Sequence, residues 1–203
     1  MADFEARLAR ARAHNQPQYL RIKGSALIQA DDPAAQAVGL DLLQRVLAED
    51  TDSVIDIPIA HDVLGDYYRR RGELDRAIDE YEAAIATATR GEVRSGGTGI
   101  EELDIAEVLI QRGAPGDYEA AERLLRSDQL VSQRHFNRTI FRIHVARARL
   151  DAKLGRDPRD AANRALATAS IADPQLPRHP DVGLVDADDE TLSEMRVLAT
   201  YKN

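Results

Sequence analysis

Cysteine and tryptophan are missing altogether, and aromatic residues make up only 4% of the 203-residue chain. Without cysteine there is no disulfide framework, no thiolate nucleophile and no Cys-ligated zinc. No apolar run approaches the roughly 18 residues that a membrane-spanning helix requires. The opening MADFEARLARARAH alternates charge where a secretory signal would be apolar. These absences lead us to expect a cytoplasmic chain with no membrane partner. Lysine is scarce too: all but Lys23, Lys153 and Lys202 of the 27 basic residues are arginine. Together with abundant alanine, that is the composition expected of a bacterial gene of high GC content. The net charge of −8 argues against nucleic acid as a partner of the whole surface and leaves it only a local patch.

What is present is helical. Charged residues reach 31% of the chain and alanine recurs at helical spacing. Hydrophobic periodicity predicts helices near 2–14, 17–30, 33–49, 57–71, 73–90, 100–112, 117–127, 131–154, 158–172 and 188–200, and no segment alternates as a strand would. The breakers fall between them: Asp32-Pro33, Pro58, Gly72, Gly113, Pro115 and Asp157-Pro158. Pro33 and Pro158 each follow an aspartate, the order of an N-cap and a first helical turn. At the N-terminus Phe4, Leu8 and Ala11 share a face. Residues 1–172 read as one helical repeat domain. Residues 173–203 read as a Pro-rich extended segment and a C-terminal capping helix, with Leu192, Met195 and Leu198 or Ala199 inward, packed on the same domain.

The most informative stretch is LGDYYRRRGELDRAIDEYEAA at 64–84. Leu64, Gly65 and Tyr68 are followed by Gly72, then Ala77, Tyr81 and Ala84. Small Gly65 and Ala77 allow two antiparallel helices to approach, Tyr68 and Tyr81 fill the space between them, and Gly72 suits the turn. The order and spacing resemble the tetratricopeptide repeat (TPR), a helix–turn–helix unit. The i, i+4, i+7 pattern of Ala77, Tyr81 and Ala84 returns at Gly39, Leu43 and Val46, and at Ala121, Leu125 and Asp128 after GDYEAA. A looser copy contains Gly155 and Ala161. Anchors at 39, 77, 121 and 161 lie farther apart than the roughly 34 residues of a TPR. A loop at 90–99 and an insertion at 114–116 account for part of the excess. The resemblance covers 58–90 best. It implies an all-α, right-handed α-α superhelix of TPR-like helix pairs with a C-terminal capping helix.

Such a fold holds a partner in a groove lined by the first helix of each pair. Carried onto this chain, the resemblance implies Asp62, Asp66 and Arg69 on the first of these helices, and Glu107 and Gln111 on the next. On 131–154 it implies Arg138, Arg142, Val145, Arg149 and Lys153. Independently of any family, residues 121–164 contain eleven Arg or Lys against five Asp or Glu, so charge is segregated along the chain. A groove acidic in the middle and basic toward its C-terminal end would be steered to a charged protein or peptide, and salt would weaken that steering. The Lys/Asn carboxylate clamp of some TPR proteins has no counterpart at these positions, although Arg142 and Arg149 are suited to a carboxylate or phosphate. A solvated, salt-bridged helix face is the plainer account of the same arginines. Two apolar stripes on 131–154, Phe136/Ile140/Ile143/Leu150/Leu154 and Phe141/Val145/Ala148/Ala152, predict a helix packed on two sides. Arg147, inside the first stripe, is expected to snorkel or to find an acidic partner.

The sequence therefore points to a non-catalytic protein- or peptide-binding scaffold. The alternatives are a nucleic-acid or phosphate binder using Arg134, Arg138, Arg142 and Arg149, and a self-associating scaffold, a homo-oligomer. Scarce aromatics count against single-stranded nucleic acid, which is held largely by stacking. A further reading folds Asp186, Asp188, Asp189 and Glu190 back onto the basic helix. No metal or other cofactor is implied. His14, His61, His135, His144 and His179 show no metal spacing. His144 reads as a packing residue and His179 as a loop anchor. GGTG at 96–99 lacks the lysine and preceding strand of a phosphate loop.

Overall fold

The computed structural model describes residues 1–48, 53–90, 93–94, 98–127, 130, 136–176, 178–179 and 182–201. The chain is all-α, relieved among the described residues by one short ladder and an isolated bridge between Leu176 and His179, and divides into two compact units, Met1–Glu101 and Glu102–Asn203. That division falls inside the stretch read from sequence as one repeat domain, and the Pro-rich segment with its final helix lies in the second unit.

The first unit contains α1 (Ala2–Leu8), α2 (Gln16–Ile28), α3 (Pro33–Ala48), α4 (Asp56–Arg70) and α5 (Leu74–Ala88). The expected 2–14 helix stops at Leu8. A separate turn of 3₁₀ helix at Ala13–Asn15 then leads into α2, whose first turn holds Pro17. A proline there disfavours a continuous helix through the preceding residues. The Gln16 side chain donates instead to the Leu8 and Ala11 carbonyls. Asp32 accepts the Ala34 N–H at 3.0 Å, so Pro33 opens α3 behind an aspartate as expected.

Two helix pairs form this unit. In α2–α3, a methyl group added at Gly39 would lie 2.5 Å from the Ile28 nitrogen and 2.9 Å from the Gly24 carbonyl oxygen. These helices touch backbone to backbone, and Gly39, Leu43 and Val46 all face inward. In α4–α5 the contact at Gly65 is with the Tyr81 ring. The connection is three residues long and turns at Gly72, whose φ of 74° is open to glycine and costly for other residues. Ala77, Tyr81 and Ala84 are fully buried. Helix α5 ends at Ala88. An antiparallel ladder of two residues a side follows, β1 (Thr89–Arg90) on β2 (Val93–Arg94), a departure from the purely helical expectation. The rest of the loop expected at 90–99 lies largely outside the described residues.

Helix α6 (Glu101–Arg112) opens at the division between the units. Glu101, the first residue of the helix, reaches back to accept the Thr98 N–H at 2.8 Å. The second unit continues with α7 (Asp117–Leu125), α8 (Asn137–Lys153), α9 (Arg159–Ala169) and α10 (Asp189–Ala199). Phe141, Val145 and Ala148 of α8 pack with Ala161, Ala162 and Ala165 of α9 and with Met195 of α10. One of the two expected stripes thus builds this core. In the other, Ile143 and Leu150 are buried, but Phe136 is exposed because its backbone is extended and precedes the helix. The expected first turn at 131–135, with Arg134 and His135, lies outside the described residues, as does Asp128. Asp188 caps α10 by accepting the Thr191 N–H at 2.6 Å. No described helix is long and apolar enough to cross a membrane.

Candidate functional site

The residues implied for a groove fall into two sets, one in each unit. On α4, Asp62, Asp66 and Arg69 follow one another at spacings of four and three, which stacks them along one side of the helix. Their environments differ. Asp62 is buried at 8% exposure, Arg69 is half-buried and Asp66 is exposed. Asp66 also accepts a 2.7 Å hydrogen bond from the Tyr81 hydroxyl, so it anchors the α4–α5 pair while its outer side meets solvent. Nearby His61 shares a 2.7 Å hydrogen bond with Glu80, a second polar tie between the same helices.

On α8 the arginines are used internally. The Arg142 guanidinium donates to Glu107 at 3.1 and 2.8 Å and to Asp104 at 2.5 Å. Its side chain is 26% exposed, and those of Asp104 and Glu107 only 7% and 10%. Burial pulls the Arg142 pKa down, but the two carboxylates more than reverse this and hold the guanidinium firmly charged. Arg149 forms a forked pair with Glu194 of α10, its shortest bond 2.6 Å. Glu107 and Arg142, both implied as groove residues, are therefore brought together as partners of each other. Gln111, Arg138 and Lys153 are exposed at the ends of their helices.

Arg147 donates to the Leu125 carbonyl at 3.1 Å and lines an open cleft of about 300 Å³ with Glu122, Asp151 and Arg156. Burial raises the Asp151 pKa; Arg156 opposes the shift and Glu122 adds to it. Glu122 bridges this cleft by pairing with Arg156 at 2.8 Å and Arg126 at 2.7 Å. Asp151, four residues on in α8, faces Arg147 in this cleft, and Arg147 opposes the rise in its pKa.

Sequence reasoning passed over Asp104, Glu194 and Asp117. The first two lie 38 and 45 residues from the arginines they meet, beyond any local pattern. Asp117 had a local signal: an aspartate at the start of a helix, five residues after Arg112. It accepts two bonds from Arg112, at 2.9 and 2.7 Å, and the Ala114 N–H at 2.8 Å. These hold its carboxyl below the usual carboxylate range, the Arg112 bonds contributing most. The acidic tail meets α8 through Glu194 rather than by ion pairs from Asp186, Asp189 or Glu190, and Asp188 serves as the α10 cap. The His179 side chain is exposed, while its N–H and carbonyl bond to Leu176 and Val182 within the segment before α10.

Set beside known proteins, the chain matches no family model, no curated protein and no solved structure.

Proposed function

We propose that the chain is a non-catalytic scaffold of TPR-like helix pairs that binds a protein or peptide segment along α4. The observation that supports it most is the α4–α5 pair. Gly65, Ala77, Tyr81 and Ala84 hold the two helices together on one side of α4. The exposed Asp66 lies on its flank beside the half-buried Arg69, where a charged segment can reach the carboxylate. In a TPR-like arrangement that flank belongs to the groove, so a partner of mixed charge is the natural occupant.

The same reading now gives less weight to the α8 arginines. Arg142 and Arg149 are already matched by carboxylates of this chain, and a phosphate or nucleic-acid ligand would have to displace them. Within the second unit by itself, Arg138 and Lys153 are exposed cations. The direct test is capture from the lysate of the source organism, with wild type beside an Asp66→Arg/Arg69→Glu variant whose helicity is checked by circular dichroism. A defined protein retained by wild type and lost from the folded variant is the expected result. Equal capture by both would remove α4 from consideration.

A further inference from the structure

The first unit carries an apolar surface to which α4 contributes no residue. Tyr19 and Ile22 of α2 are 50% and 52% exposed, and at a spacing of three residues they share a side of the helix. Two shallow clefts flank Phe4 of α1. One, of about 480 Å³, is walled by Leu8, Ala11 and Tyr19; the other, of about 510 Å³, by Leu27 and Val38. Arg7 and Arg10 border the first, and Lys23 borders the second together with Asp3. Arg7 pairs with Asp3, whereas among the described residues Arg10 and Lys23 form no ion pair. Of the five Arg or Lys in residues 1–24, Arg7 is matched by Asp3 and Arg21 is turned inward onto Asp56, which leaves the exposed Arg10 and Arg12 and the half-buried Lys23 as the cations of this surface.

The opposite character appears at the other end of the sequence. Asp186, Asp188, Asp189, Glu190 and Glu194 give five negative charges in nine residues, with no basic residue among them. Only Glu194 is spent on an arginine; Asp186, Asp189 and Glu190 are exposed. On α10, Val197 is 67% exposed, more than any other large hydrophobic residue described. It lies two helical turns beyond Glu190, and therefore on the same side. The exposed side of α10 thus offers one apolar knob beside an acidic cluster, with the exposed Arg196 as its one basic residue, and it stays net acidic toward an apolar surface with a basic rim. Two α1–α2 surfaces facing each other would instead oppose their cations.

We propose that the α1–α2 surface of one copy receives the acidic α10 segment of a second copy, giving self-association by unlike surfaces. A contact between unlike surfaces leaves one of each unfilled and continues into larger assemblies unless the rotation closes a ring. It does not depend on the α4 reading, since none of its residues lies on α4.

Sedimentation velocity of the full chain over a range of concentrations tests this. Wild type should grow beyond a dimer at low salt and lose the larger species at about 0.5 M salt, where screening acts within a few ångströms. Ile22→Asp and Val197→Asp should each remain monomeric, with unchanged circular dichroism. An equal mixture of the two should recover a dimer and stop there, because each partner retains one intact surface. The pair Arg10→Glu/Lys23→Glu should be monomeric alone and recover association when mixed with Asp189→Lys/Glu190→Lys. A wild type monomeric at every concentration, or a dimer that survives both single substitutions, would overturn the proposal. So would binding of phosphatidylserine vesicles through Arg10 and Lys23 by a chain that stays monomeric, which would assign the surface to lipid.

Discussion

The α4–α5 pair of the first unit and the α8–α9 pair of the second solve one problem with different residues. Both must bring two helices close together. In α4–α5 a glycine faces a tyrosine: the Tyr81 ring lies against the bare backbone at Gly65 and its hydroxyl is satisfied by Asp66. In α8–α9 the approach is built from Ala148, Ala161, Ala162 and Ala165, small everywhere and distinctive nowhere. The large polar groups of α8 turn elsewhere, Arg142 to α6 and Arg149 to α10. The first pair depends chiefly on shape. The second combines shape with charge matching between elements far apart in the chain.

Charge removal should therefore hurt the second region most. Replacing Arg142 with leucine removes the guanidinium that Asp104 and Glu107 share, and breaking such a largely buried pair costs about 3 kcal/mol. Urea unfolding, followed by hydrogen exchange in α6 and α8, should show that loss. Adding Asp104→Leu and Glu107→Leu should return most of it, because the buried charges are then gone. If Arg142→Leu were neutral, the interaction would be an exposed pair in all but geometry.

Shape should dominate in the first region. A methyl group at Gly65 would sit 2.6–2.9 Å from three atoms of the Tyr81 ring, so the ring or a helix has to shift. Overpacking of this kind costs about 2 kcal/mol. In a Tyr81→Ala background the same Gly65→Ala change should cost much less, and a double-mutant cycle on unfolding free energies reads the difference. Equal costs in both backgrounds would mean that the ring is not what Gly65 accommodates.

The contrast also explains what was legible in the sequence. Gly65, Tyr68, Gly72, Ala77 and Tyr81 differ in size and backbone freedom from ordinary helix residues, so their spacing announced a packed pair. In α2–α3 the same spacing marked Gly39, yet nothing beside Gly24 in the sequence marked it as the partner. Helix ends were readable where Asp32-Pro33 and Asp157-Pro158 set a cap. The break after Leu8 escaped because the charge alternation of 2–14 continues smoothly through it. The arginines of α8 were visible as a basic face, but whether such a face is free is decided by Asp104, Glu107 and Glu194, which topology alone delivers. Counting charge along the chain located the arginines without showing that Arg142 and Arg149 were matched.

Acid offers a gentler way to separate shape from charge. Asp117 is buried, and its carboxyl is held below the usual range by Arg112 and the Ala114 N–H. A depressed folded-state pKa contributes stability that is present above the unfolded value near 4 and is lost as pH falls through the folded one. Asp117→Asn should cost about 1.5 kcal/mol at pH 7, the scale of a charge-assisted hydrogen bond. It should also flatten the dependence on pH below 4 for exchange in α6 and α7. A variant whose acid dependence matched wild type would show that Asp117 is not a titrating support of this turn.

The smallest effect belongs to Arg149. Its fork with Glu194 resembles that of Arg142 in geometry, but both side chains are more than a third exposed, at 35% and 38%. Solvent screens such a pair, and its net worth falls below about 1 kcal/mol. Arg149→Met should therefore change the unfolding midpoint little, and about 0.5 M salt should erase what difference remains. Met195, fully buried against α8 and α9, should hold α10 in place without the ion pair. Met195→Ala should accordingly release α10 to faster exchange, whereas Arg149→Met leaves it protected. If the two substitutions exposed α10 equally, the contact between α10 and α8 would rest on charge as much as on packing, and the distinction between Arg142 and Arg149 would have to come from something other than burial.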